Sequence, residues 1–71
     1  MKEEKYHDSR MIISTEYDFE TKTLDICFNN NVSYAYYDFP ITEYNAMIEA
    51  DSIGKFFNEY IKNNYDCDSI D

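Results

Sequence analysis

Ser33-Tyr34-Ala35-Tyr36-Tyr37-Asp38-Phe39-Pro40 is the stretch that divides this chain into two kinds of structure. Before it the apolar residues recur with a period of two, and after it they recur at helical spacing. Tyr34 and Tyr36 are two apart, so on a strand they share one face, while Tyr37 points the other way and is expected to be exposed with Ser33 and Ala35. Pro40 has no N–H for a sheet ladder, so the strand ends before it. The run is therefore the last strand of a small sheet and the entry to a helical half.

Upstream, Leu24, Ile26 and Phe28 alternate with Asp25, Cys27 and Asn29, which predicts a strand with its apolar residues facing a core. Met11 to Tyr17 is apolar without a helical period and rich in β-formers, which predicts another strand. Asp18 to Thr23 reads as a polar turn. Asn29-Asn30-Asn31 reads as a tight hairpin turn, because asparagine enters the left-handed backbone region more readily than other non-glycine residues.

Downstream, Pro40 suits a first helical turn. Ile41, Tyr44, Met47 and Ile48 mark one helix face over residues 40–50. Ser52 is an N-cap for a second helix, and Gly54 in its first turn permits close backbone approach. Phe57, Tyr60, Ile61 and Tyr65 form that helix's inward stripe. The fold class that follows is α+β: a three-stranded antiparallel meander followed by two helices packed on one face. Residues 1–71 form one domain, with a polar, frayed start at 1–9 and an acidic tail at 66–71.

The chain has 71 residues, 13 of them Tyr or Phe (8 Tyr and 5 Phe), with one Gly, one Pro and two Cys. Fifteen Asp and Glu against six Lys and Arg give a formal net charge of -9. That balance argues against duplex DNA, structured RNA and anionic membrane surfaces, whose recognition rests on Lys and Arg. It favours solubility and basic protein partners. Cys27 and Cys67 are too few for a disulfide framework, and reduced thiols are the expectation for a cytoplasmic protein. The polar start lacks a secretory signal, and no apolar run reaches membrane-spanning length. The Asn, Ile, Lys and Tyr usage suggests an AT-rich bacterial or phage genome.

Tyr17-Asp18, Leu24-x-Ile26-x-Phe28, Tyr34-x-Tyr36, Phe39-Pro40, Tyr44, Met47 and Ala50-x-Ser52-x-Gly54-x-Phe56-Phe57-Asn58-x-x-Ile61 together resemble the KTSC domain. That domain is named after a C-terminal extension of some lysyl-tRNA synthetases and also occurs as a free-standing small protein. The resemblance runs from about Ile12 to Lys62. Asn31 stands where the family usually has glycine, and Thr15-Glu16 where it usually has Ile-Gly. RNA binding is what the resemblance alone implies.

No arrangement of residues reads as catalytic. His7 is the single histidine and lies in the polar start, so a histidine-assisted nucleophile has nothing to be built on. Asp66, Asp68 and Asp71 lack the glycine and distal glutamate of a calcium loop, so neither a metal nor a cofactor is expected. Three binding readings compete: a small acidic protein-interaction module or inhibitor on a basic site, a homo-oligomer that takes a small nucleotide-like ligand by tyrosine stacking, and an RNA-binding module by resemblance. The site residues expected for a ligand or partner are Tyr34, Tyr36, Tyr37, Arg10, Asn58 and Lys62. A small core with exposed aromatics further predicts self-association as a closed symmetric homo-oligomer.

Overall fold

The computed structural model describes residues 1–70 and holds, among these, five strands in a single antiparallel sheet: β1 (Lys2–Tyr6), β2 (Ile12–Asp18), β3 (Thr23–Phe28), β4 (Ser33–Tyr36) and β5 (Cys67–Ser69), ordered β1-β2-β3-β4-β5. Two helices follow β4: α1 (Ile41–Glu49) and α2 (Ile53–Phe56), the latter running on as a π-helical turn over Phe57–Ile61.

The predicted meander is present as β2, β3 and β4, but the sheet is wider by a strand on each side. The polar start is not frayed: β1 pairs with β2 from Lys2↔Asp18 to Tyr6↔Ser14. The predicted tail is likewise partly a strand, with Tyr36 opposite Cys67 and Tyr34 opposite Ser69. Its last residue, Asp71, lies outside the described residues. Both additions are edge strands. An edge strand gains backbone hydrogen bonds from its one neighbour without needing an apolar face, and charged side chains suit it there. Lys2-Glu3-Glu4-Lys5 therefore carries no hydrophobic signal.

Leu24 and Ile26 face the core with no exposure, as their alternation predicts, together with Ile12, Tyr17 and Tyr36 from neighbouring strands. Tyr44 and Met47 of α1, Ile53 of α2, and Phe57 and Ile61 of the π turn close over that face. Tyr17 and Tyr44 stack with centroids 4.4 Å apart and planes 11° from parallel, joining β2 to α1. The Tyr17 hydroxyl donates to the Phe39 carbonyl, which fixes the chain just before Pro40.

The turns follow local chemistry. Asp18 Oδ1 accepts from the Glu20 and Thr21 N–H groups, and the Lys22 N–H donates to the Asp18 carbonyl. Asn31 has φ 64, in the left-handed region that asparagine enters more readily than other non-glycine residues, as the hairpin turn requires. Ser52 caps α2, its Oγ accepting from the Lys55 N–H at 3.2 Å.

Four expectations on side chains need correction. Tyr60 is 52% exposed, because the wider π turn, with the Lys62 N–H donating to the Phe57 carbonyl, narrows the inward set to Phe57 and Ile61. Ile41 is 46% exposed at the first turn of α1. Ala35 is buried, since this small residue lies between Asp25 and Asp68 on the flanking strands. Gly54 is not needed for close approach: an added Cβ would meet Met11 at 3.7 Å, ordinary contact.

Candidate functional site

The helices cover one face of the sheet, so the strands' period of two sorts every polar side chain to one side or the other. Two features result: a groove at one end of the covered face and a charged strip on the open face.

The groove lies between the β3–β4 hairpin and the chain leaving the π turn, with a volume of about 560 Å³. Phe28, Tyr34, Tyr36, Phe57 and Tyr65 are among its walls. Phe28 sits edge-on to Tyr34 at 6.2 Å and to Phe57 at 5.2 Å, and Phe57 is edge-on to Tyr36 at 5.9 Å. These T-shaped contacts fix the rings that face the opening. Burial, with Cys67 and Tyr34 nearby, pushes the Tyr36 hydroxyl up to about 12, so it stays protonated at neutral pH. Lys62 is the single charged side chain on the walls. Asn63, in the left-handed region with φ 67, turns the chain after the helix and places its own side chain on the same wall.

The open face carries a row of residues directly opposite one another across the sheet: Glu4, Glu16, Asp25, Ala35 and Asp68. Four of the five are acidic. Asp18 lies in the next row opposite Lys2, the cation of this face. Burial, then Glu16, raises the Asp25 carboxyl above the usual carboxylate range, with Lys2 acting the other way. Among the described residues no group of three or more His, Cys, Asp or Glu is placed to hold a metal ion. The row is an extended strip, not a chelate.

The expected site residues thus divide among three places. Tyr34, Tyr36 and Lys62 meet in the groove. Arg10 and Asn58 line a separate depression beside Ser52 and Gly54. Tyr37 belongs to the open face, away from the groove: it is 38% exposed, as its register predicts, and its hydroxyl donates to Asp68 Oδ2 at 3.1 Å. His7, placed in the polar start, instead bridges strands, its Nε2 lying 2.8 Å from Thr15 Oγ1. The carboxylate row escaped sequence reasoning because Glu4 and Asp68 come together with Glu16 and Asp25 only through β1 and β5. Alternation within β2 and β3 placed Glu16 and Asp25 on one face, and that was the available signal.

The KTSC domain family model matches residues 8–65. Among solved structures, a KTSC domain protein from Yersinia pestis is 28% identical, with a TM-score of 0.94 and full coverage of both chains. No curated protein matches the chain.

Proposed function

The chain belongs to the KTSC domain family, and within that fold we propose that it acts as a non-catalytic protein-interaction module docking a basic partner on the open face of its sheet. The row Glu4, Glu16, Asp25, Asp68 carries this reading. The strip is uncovered by the helices and faced by one lysine, and the net charge of -9 extends its field. Such a surface steers a Lys- or Arg-rich segment and gives salt-sensitive association. The same charge repels a polyanion.

Cys27 and Cys67 are free thiols, which supports a reducing, cytoplasmic setting. Among the described residues no helix is long and apolar enough to cross a membrane. Exposed Tyr6 and Ile70, close to the two sheet edges, support self-association as a closed dimer.

The test is titration with a Lys/Arg-rich peptide by calorimetry at low and high salt. Two triple variants of equal charge change are compared: Glu4→Gln/Glu16→Gln/Asp25→Asn on the open face, and Glu43→Gln/Glu49→Gln/Glu59→Gln on the helices. Binding is expected to weaken steeply with salt and to be lost in the open-face variant alone. Equal losses in both variants, or salt-insensitive binding, would remove the strip as the docking face.

A further inference from the structure

The groove differs chemically from the rest of the surface. In a chain with 15 Asp and Glu, its walls hold no carboxylate. Its one charge is Lys62, which forms no ion pair with any described residue. Around that charge stand aromatic rings, tyrosine hydroxyls and asparagine amides. Neither the Tyr34 nor the Tyr36 hydroxyl is hydrogen-bonded to another described residue. Each therefore has a donor and an acceptor for an incoming molecule.

These features select a ligand class. Aromatic walls take a flat ring, and every nucleobase has such a face. Asn63 and the hydroxyls match ring heteroatoms and exocyclic amines. A single lysine balances one negative charge. It does not balance a triphosphate or a polynucleotide, which the surrounding acidic surface repels. The volume of about 560 Å³ is that of a small-molecule site.

We propose that the groove is a binding site for a small planar heteroaromatic molecule carrying one negative charge, of the nucleoside cyclic monophosphate class. Tyr34, half-buried at the rim, receives the ring, the Tyr36 hydroxyl meets the ring's edge, and Lys62 takes the phosphate. The site lies on the covered face of the sheet, away from the carboxylate strip, and stands independently of the partner docking described above.

The experiment is calorimetric titration with adenosine and guanosine 3′,5′-cyclic monophosphate, with adenosine and ATP as comparisons. Cyclic nucleotide binding is expected to be at least about tenfold tighter than that of adenosine or ATP. Lys62→Gln is expected to bring the cyclic nucleotide down to the affinity of adenosine. Tyr34→Ala is expected to weaken both about five- to hundredfold, since stacking contributes about 1–3 kcal/mol per base. If Tyr34→Ala does not fold, the Lys62→Gln comparison decides alone. The open-face triple variant is expected to retain the binding, which separates this site from the docking strip. No saturable binding of either cyclic nucleotide at millimolar concentration, or an unchanged preference over adenosine in Lys62→Gln, would overturn the proposal.

Discussion

Glu16 on β2 and Asp25 on β3 lie directly opposite one another on the open face of the sheet. Like charges placed opposite across a strand pair destabilise by roughly 0.2–1 kcal/mol. Asp25→Asn is therefore expected to raise thermal stability by about that amount at low salt, with the gain shrinking as salt screens the pair. The sign agrees with the titration of the group. A carboxyl held above its unfolded value contributes stability below the unfolded pKa and loses it as pH rises through the folded one. Melting curves at two ionic strengths check this, and a variant no more stable than the parent at low salt would contradict it. A partner that neutralises the strip would give the same stabilisation, so Asp25→Asn is also expected to bind a basic peptide more weakly.

Tyr44 ties the edge strand to the helices. Its hydroxyl, partly buried, donates to Glu3 Oε1 at 2.6 Å. A hydrogen bond to a charged acceptor contributes about 1.5–3 kcal/mol, and partial exposure puts this one at the low end. Tyr44→Phe keeps the stack on Tyr17 and removes only that bond. The expected result is a loss of about 1.5 kcal/mol together with faster amide exchange in β1. Unchanged exchange in Lys2–Tyr6 would show that backbone pairing alone holds the strand.

Alkali is expected to unfold the domain through its tyrosines. Burial first, then Cys67, raises Tyr36 to about 12, and Tyr17 and Tyr44 are raised chiefly by burial. An unfolded tyrosine ionises near 10. Stability from these groups is complete below about pH 10 and is lost as pH rises toward the folded values. Tyr36→Phe is expected to move the alkaline unfolding midpoint upward, followed by tyrosinate absorbance and circular dichroism together. A midpoint that does not move would place the limiting titration elsewhere.

The start of α2 offers two substitutions of opposite sign. Ser52→Ala removes the cap on the Lys55 N–H and is expected to cost about 1 kcal/mol. Gly54 has no positive φ, and an added methyl meets Met11 at ordinary distance. Gly54→Ala is thus expected to stabilise by about 0.4–1 kcal/mol, mainly by restricting the unfolded chain. Denaturant titration of both single variants measures this. A destabilised Gly54→Ala would mean that Met11 and Ser9 cannot give way.

The elements whose residues must bury an apolar face are legible in the chain's own pattern. Alternation fixed β3, the Tyr34-x-Tyr36 pair fixed which side of β4 faces the helices, Ser52 fixed the start of α2, and Asn31 fixed the hairpin turn. Each of these is a local rule, in which spacing or backbone preference acts within a few residues. The family pattern from Ile12 to Lys62 was legible for the same reason. Residues with no apolar signal took their places through long-range pairing instead. Lys2–Tyr6 and Cys67–Ser69 are strands because the outer strands of the meander left backbone donors and acceptors unpaired, a demand set by neighbours and not by their own side chains. With those edges in place, register carried Glu4 and Asp68 into line with Glu16 and Asp25. The π turn moved Tyr60 outward and brought Lys62 beside Tyr34 and Tyr36. A charge row built across four strands, and a groove closed by a helix end some 30 residues from the hairpin it faces, are products of long-range pairing. No local periodicity encodes that pairing.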